Sequence, residues 1–256
     1  MTQQFDFYFD FGSLASYLAH TQLPRITTET GAQPVMYPML LGGVFQATGN
    51  ASPMAVPAKG KYVFMDMKRF ADDYGVPLVM NHHFPIITTT LMRGATAMQM
   101  QSAEAFQRYM DCIYRAIWVE GLNLNEPAIV GEVLTRAGFD PAAVLAMANE
   151  QATKDKLKEV TMRAVERGVF GAPTFFIGKD MHMAALLQPS AFIPGSIDVE
   201  CSLPAIRSCT YNDEYPWPDI AKPVLKPCKI PTPFKAVVLG LDKFLNICSY
   251  VHHRFR

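Results

Sequence analysis

Two serines lie where a strand-like segment meets a helix-like pattern near the start of the chain, in FDFYFDFGSLAS, residues 5–16. Aromatic residues are enriched in strands, so residues 5–11 predict a buried strand. Gly12 permits a sharp turn, and Ser13 is a favoured residue for capping the N-terminus of a helix. Many redox proteins carry a Cys-x-x-Cys pair at this kind of junction, whereas here Ser13 and Ser16 occupy both positions. The pattern indicates a site that stabilises an anion with a hydroxyl and a helix N-terminus and does not exchange disulfides.

The bulk composition argues against several classes of function. Formal net charge is zero and 18% of the residues are charged. Lys and Arg do not cluster among aromatic residues, so a nucleic-acid partner is not predicted. No apolar run reaches the ~18 residues of a membrane span, and a secretory signal pattern is absent, so we expect a cytoplasmic protein without a membrane partner. The five cysteines are widely spaced and match no disulfide or zinc pattern, and no metal site is predicted.

The remaining pattern predicts an α/β protein with a large helical block. Residues 34–40 predict a second strand, which we expect to be an edge strand or an irregular one because it contains two prolines. Residues 40–60 predict a long loop, and residues 88–168 have an almost entirely helical pattern. The segment VFGAPTFFIGKD, residues 169–180, predicts a strand bounded by glycines, and we expect Pro173 at its start to be cis.

The character of the sequence changes after Met181. Residues 182–256 contain nine of the nineteen prolines and four of the five cysteines, and they show no sustained hydrophobic period. We therefore predict a boundary at 181/182, between a domain of residues 1–181 and an atypical tail of residues 182–256. The proline content and the absent periodicity predict that much of this tail is poorly ordered.

Four separated motifs, in the same order, resemble those of the 2-hydroxychromene-2-carboxylate isomerase family, whose members are glutathione-dependent relatives of kappa-class glutathione transferases and of DsbA. The motifs are FDFYFDFGSLASYLAH, GNASPMAVPAKGKYVFMDMKRFADDYGVPLVMNHHFPI, AIWVEG and VFGAPTFFIG, and together they cover about residues 4–180. The resemblance implies a thioredoxin-like fold of the DsbA and kappa transferase type, with an all-helical domain inserted at about residues 60–150.

The resemblance also implies roles for individual residues. In the family, the serine at the start of the first helix is catalytic and contacts glutathione, and Ser13 holds that position. Glutathione is also bound by an asparagine of the long loop, matching Asn50, and by the backbone beside the cis-proline, matching Ala172 and Pro173. Candidates for contacting the substrate, including its carboxylate, are Lys59, Lys61, Tyr62, His83 and Arg93.

A serine suits this chemistry because, as the resemblance implies, glutathione supplies the thiol. A helix N-terminus favours an anion by ~0.3–1 kcal/mol, and by up to ~2 kcal/mol when partly buried. A hydrogen bond from a hydroxyl to a charged partner contributes about 1.5–3 kcal/mol. Together these effects are large enough to bring the pKa of a thiol from ~8.5 close to neutrality. The thiolate would then add reversibly to the substrate ring, permit rotation about the resulting single bond, and leave again.

Two departures from the family pattern stand out. Members often have Ser-Pro at the first motif, where this chain has Ser13-Leu14. More importantly, the family continues after the cis-proline strand with another strand and a Gly-(Gln/Asn/Ser)-Asp-Arg motif that holds the γ-glutamyl end of glutathione. The sequence after IGKDM, which ends at Met181, contains no such motif. We therefore expect one strand and half of the glutathione anchor to be missing or replaced, as a shifted reading frame or a fusion would produce.

These observations predict a glutathione-dependent isomerase that acts on a small aromatic substrate in aromatic compound catabolism. Two alternatives stay open, namely a kappa-like glutathione transferase or peroxidase, and a family member that lost its activity together with the glutathione anchor. Homodimers are common among the relatives, and the sequence leaves that state open. Ser16, Trp118, Glu120 and Cys112 are interpreted as packing or surface residues.

Overall fold

The computed structural model of the protein describes residues 3–183. Within these residues the chain forms four strands and eight α-helices. The strands are β1 (Gln4–Phe9), β2 (Gln33–Pro38), β3 (Thr174–Ile177) and β4 (Asp180–His182). The helices are α1 (Leu14–Thr30), α2 (Leu41–Thr48), α3 (Pro57–Tyr74), α4 (Thr89–Gln101), α5 (Ala103–Trp118), α6 (Pro127–Arg136), α7 (Pro141–Asn149) and α8 (Gln151–Glu166). A short 3-10 helix, Pro53–Ala55, precedes α3.

The described strands form one mixed sheet in the order β2-β1-β3-β4. Strand β1 runs parallel to β2, with Phe7 opposite Met36, and antiparallel to β3, with Phe7 opposite Phe175. Strand β2 lies at an edge of this sheet, as its two prolines predicted, because an edge strand can lack backbone donors on its free side.

Strand β1 is buried on both of its faces, which explains why its sequence is almost continuously aromatic. The ring of Phe7 lies 4.7 Å from that of Phe175, in a core shared with α1, α4 and α5. Tyr8 points to the opposite face. Its ring stacks on Tyr37 at 4.7 Å, in a second core that includes residues of α2 and α8.

The predicted helical block is confirmed as α4 to α8. Asp140 caps α7, because its Oδ1 accepts a hydrogen bond from the Ala142 N–H at 2.9 Å. No helix within residues 3–183 combines the length and the apolar character needed to cross a bilayer. The domain limits at about residues 60 and 150 and at 181/182 stay predictions.

The prediction of a loop over residues 40–60 is wrong in part, because α2 and the 3-10 helix lie within it. Two adjacent glycines in α2 disfavour a helix by themselves. Tertiary contacts override this preference at the start of the helix. The Leu40 N–H donates to Thr161 Oγ1 at 3.0 Å, and the Leu41 N–H donates to Asp10 Oδ2 at 2.9 Å.

We predicted that the strand after β3 is missing or replaced, and the first of these alternatives is wrong. The chain turns at Gly178, which has a φ of 63°, and β4 then pairs antiparallel with β3, with Phe175 opposite His182. A strand of three residues is too short to carry a recognisable alternation in sequence. The rest of the predicted tail, from residue 184 onward, lies outside the described residues.

Candidate active site

Ser13 links the end of β1 to the start of α1 and is the N-cap of that helix, as predicted. Its side-chain oxygen accepts a hydrogen bond from the Ser16 N–H at 3.1 Å. Its hydroxyl donates a hydrogen bond to the carbonyl oxygen of Ala172 at 2.8 Å. In this structure the hydroxyl proton is therefore directed at a backbone carbonyl at the rim of the cleft.

The peptide between Ala172 and Pro173 is cis, as predicted. Pairing within the sheet begins only at Thr174, so the backbone of Gly171 and Ala172 lies outside the ladder. The Thr174 hydroxyl donates to the Gly171 carbonyl at 2.9 Å and closes this turn. A stretch of backbone left outside a ladder can pair with an extended peptide ligand.

Asn50 joins the segment between α2 and α3 to the segment that precedes the cis-proline. Its Nδ2 donates to the Phe170 carbonyl at 2.8 Å, and its Oδ1 accepts from the Ala51 N–H at 2.8 Å. It follows Gly49, which ends α2 with a φ of 71°. Asn50 is exposed, so its amide is also accessible to a ligand.

Ser13, Asn50 and Ala172 all line one cleft of about 520 Å³. The structure therefore brings together residues that are far apart in the sequence. The rest of the lining is mainly apolar, and its large members include Phe45, Phe64, Met67, Met80, Phe84 and Trp118. Such a lining suits a flat apolar ligand.

A larger groove of about 820 Å³ lies between α1 and α5, away from Ser13. It includes His20, whose Nε2 lies 3.0 Å from Asp111 Oδ1. We place the candidate site in the smaller cleft, because only that cleft contains the N-terminus of α1 and the cis-proline turn.

Comparison with known proteins identifies the family of the chain. The family described as DSBA-like thioredoxin domain matches residues 4–203, which is most of the chain. The chain belongs to this family. The matched range extends past the boundary predicted at 181/182.

Within the DsbA-like thioredoxin family, the chain is similar to enzymes of two kinds. A 2-hydroxychromene-2-carboxylate isomerase of Pseudomonas putida is 31% identical over 178 residues, which is 69% of this chain and 86% of the relative. Glutathione S-transferase kappa 1 of Rattus norvegicus is 27% identical over 177 residues, which is 66% of this chain and 78% of the relative. The solved structure of a 2-hydroxychromene-2-carboxylate isomerase has a TM-score of 0.61 at 31% identity and covers 71% of this chain and 89% of that chain. The predicted resemblance and the thioredoxin-like fold are confirmed.

A buried carboxyl group, Asp10, lies directly behind the candidate site of this family member. Its Oδ1 accepts hydrogen bonds from the Gly12 N–H and the Thr88 hydroxyl, both at 2.8 Å, and its Oδ2 accepts one from Leu41. Burial raises the pKa of the Asp10 carboxyl, and the three hydrogen bonds oppose this rise. The sequence reasoning missed Asp10, although an acid inside an aromatic run was a usable signal.

Several predicted substrate contacts do not reach the cleft. Lys59, Lys61 and Tyr62 are exposed on α3, and none of them lines it. The cause is helical periodicity, since a different face of α3, which includes Val63 and Phe64, forms the wall.

The two remaining candidates also lie outside the described lining of the cleft. Arg93 of α4 does not contribute to it. His83 is exposed and does not line it either, whereas the adjacent His82 does.

The structure agrees with most of the interpretations of packing residues. Trp118 lines the cleft and is anchored by a hydrogen bond from its Nε1 to the Phe11 carbonyl at 2.9 Å. Ser16 is fully buried. Burial raises the pKa of the Cys112 thiol to about 12, which makes this thiol unreactive at neutral pH. Glu120 pairs on the surface with Arg115 and Arg136.

Proposed function

We propose that this chain is a glutathione-dependent isomerase of the 2-hydroxychromene-2-carboxylate type. The observation that carries the proposal is the convergence of Ser13, Asn50 and Ala172 on one cleft at the N-terminus of α1. The similarity to enzymes named 2-hydroxychromene-2-carboxylate isomerase supports the reaction class. The similarity to kappa glutathione transferases supports the involvement of glutathione.

The residues of the cleft fit the reactive part of glutathione. The N–H groups of Leu14 and Ala15, in the first turn of α1, have no acceptor within their own helix and lie at the cleft. Beside them, the backbone of Gly171 and Ala172 lies outside the sheet ladder, and the Ala172 carbonyl can pair with a short peptide once the Ser13 hydroxyl turns away. An anionic sulfur at this point would also benefit from the partial positive charge of the helix N-terminus.

The cleft offers fewer matching partners to the charged ends of glutathione. Among the described residues that line the cleft there is no Lys, Arg, Asp or Glu. Besides Ser13 at the helix start, Asn50, Ser52, His82 and backbone groups are the accessible polar contacts that the described lining can offer to the two carboxylates and the ammonium. This agrees with the absence of the Gly-x-Asp-Arg motif from the sequence.

When bound, glutathione would supply a nucleophilic thiolate, which this chain does not provide at the helix start. The chain's own contribution is to stabilise negative charge there and to exclude water. Ser13 can donate to an anion only after its O–H turns away from the Ala172 carbonyl. A ligand N–H that donates to the Ala172 carbonyl would take the place of the Ser13 O–H. The Ser13 hydroxyl would then be free to donate to the anion. The aromatic wall around Trp118 and Phe84 shields the same volume from water.

A kappa-like glutathione transferase is the second candidate. The observation that favours it is the lack of Lys and Arg among the described lining residues, because an electrophile without a carboxylate needs no cationic partner. Parallel assays separate the two functions. Purified protein is incubated with glutathione and, in turn, with 2-hydroxychromene-2-carboxylate, a chlorinated nitroaromatic compound and a hydroperoxide.

We expect ring-opening of the chromene that requires glutathione, with little turnover of the other two substrates. Turnover of the chloroaromatic compound or the hydroperoxide alone would favour the transferase. Calorimetric titration with glutathione completes the test, because no heat at millimolar ligand together with no turnover would show that the chain has lost this function.

A further inference from the structure

The segment between α3 and α4 contains a tight turn that contributes residues to the lining of the cleft. The Phe84 N–H donates to the Asn81 carbonyl at 3.1 Å, which closes a four-residue turn with His82 and His83 at its centre. The two histidines are adjacent and both exposed, yet only His82 lines the cleft. The turn therefore places His82 at the cleft and leaves His83 outside its lining.

The buried side chain of Asn81 holds this turn in place through hydrogen bonds. It is 3% exposed, and its Nδ2 donates to the carbonyls of Ile117 and Leu122 at 3.1 and 3.0 Å. Its Oδ1 accepts a hydrogen bond from the His83 N–H at 2.8 Å. One buried amide thus joins the turn to the carbonyls of Ile117 and Leu122.

Asn125 and Trp118 hold the other side of the turn. The Asn125 Nδ2 donates to the carbonyls of His83 and Pro85 at 3.3 and 3.2 Å. The Phe84 ring lies 5.9 Å from the Trp118 indole, which is itself anchored in the core. His82 therefore projects from a turn that is anchored on both sides, which is the condition for a preorganised ligand contact.

His82 is also the one ionisable side chain among the described residues that line the cleft. An imidazole ring presents an N–H donor in either protonation state. The wall around it is aromatic and thioether in character, so a ligand that fills the cleft leaves few other polar partners for an acidic group. The predicted cations Lys59 and Lys61 lie outside this wall.

We propose that His82 recognises the acidic group of the substrate, so that the cleft selects a planar aromatic carboxylate over its neutral analogue. The proposal rests on the proposed function for the substrate class, since the similar isomerases are named for a carboxylate. In this proposal, the preference for an acid over its neutral analogue comes from the turn that carries His82. His82 contacts the substrate and raises its affinity.

The test measures binding and needs no turnover. Coumarin-3-carboxylate and coumarin have the same ring system and differ in the acidic group, and each is titrated into the full-length protein by fluorescence. The variants are His82→Ala, His82→Gln, which keeps an N–H donor, and the matched control His83→Ala from the same turn. Because both histidines are exposed, circular dichroism is expected to show an unchanged fold for all three variants.

We expect His82→Ala to weaken binding of coumarin-3-carboxylate about tenfold and to leave coumarin within about twofold of wild type. His82→Gln should recover part of the loss, and His83→Ala should behave as wild type. Equal losses for both compounds, an equal effect of His83→Ala, or a wild type that does not prefer the acid would each overturn the proposal. A wild type that shows the predicted selectivity but does not isomerise the chromene would overturn the proposed function alone.

Discussion

The Ser13 hydroxyl donates a hydrogen bond to the carbonyl of Ala172, 159 residues further along the chain, at a distance of 2.8 Å. The same oxygen accepts the Ser16 N–H and caps α1. One hydroxyl thus joins the helix N-terminus to the cis-proline turn, which are the two elements that form the candidate glutathione site. Structural and chemical roles of Ser13 therefore have to be separated by experiment.

Ser13→Ala removes both the cap and the hydroxyl donor. We expect a loss of about 1 kcal/mol in the free energy of unfolding, as for other N-cap residues. We also expect kcat/KM with glutathione to fall about 10- to 100-fold, because a hydrogen bond to a charged partner is lost. Urea unfolding and steady-state kinetics measure the two effects. Ser13→Thr keeps the hydroxyl and should retain most of both, whereas a Ser13→Ala enzyme that is less stable but equally active would leave only the capping role.

Ser13→Cys should convert the site from addition to redox chemistry. A thiol at a helix N-terminus has a lowered pKa and is more reactive, because a larger fraction of it is thiolate at neutral pH. We expect this variant to form a mixed disulfide with oxidised glutathione, located at residue 13 by peptide mass mapping. Wild type treated in parallel reports the background from the other cysteines, of which Cys112 is partly buried and has its pKa raised to about 12. The absence of a glutathionyl group at residue 13 would argue against a glutathione site there.

The buried carboxyl of Asp10 predicts a pH-dependent stability. Its pKa is raised above the ordinary value of 3.8 by burial, so the native state holds this proton more tightly than the unfolded chain does. The stabilisation by the protonated form is complete below the unfolded pKa and is lost as pH rises through the raised native pKa. We therefore expect the free energy of unfolding of wild type, relative to Asp10→Asn, to fall as pH increases from about 4.

Urea unfolding of both proteins over a pH series measures this difference. The Asp10→Asn protein should be less stable by an amount of about 1–3 kcal/mol at low pH, because its amide N–H₂ would face backbone donors. A difference that grows with pH would show that the native state lowers the pKa of Asp10 instead.

Asn50→Ala should act on glutathione binding and leave the fold intact. The side chain is exposed, and its loss frees the Phe170 carbonyl, which remains close to solvent. We expect the KM for glutathione to rise about 5- to 20-fold with little change in kcat, as when a binding contact of about 1–1.8 kcal/mol is lost. Asn50→Asp, which keeps the Oδ1 acceptor but not the donor, should weaken glutathione binding at least as much. An unchanged KM in both variants would remove Asn50 from the site.

Features with a local cause were predictable from the sequence. Ser13 and Asp140 follow the preferences of N-cap residues, and both cap helices as expected. The edge position of β2 followed from its prolines. The cis state of Pro173 was predicted from its place before a strand.

Features that depend on contacts distant in sequence were not predictable. Helix α2 forms despite its two glycines, because the side chains of Asp10 and Thr161 accept hydrogen bonds from the first backbone N–H groups of that segment. The face of α3 that lines the cleft depends on how the helix packs, so the sequence did not indicate that Lys59 and Lys61 lie outside the lining. The choice of His82 over its neighbour depends on a turn fixed by Asn81.

The most direct test of the account is the pKa of the glutathione thiol in the complex, followed by the ultraviolet absorbance of the thiolate in wild type and in Ser13→Ala. The account predicts a thiol pKa lowered from ~8.5 to near neutrality in wild type and shifted back upward by about one pH unit or more in the variant. A thiol that titrates in the wild-type complex as it does in free glutathione, or that titrates identically in both proteins, would contradict it.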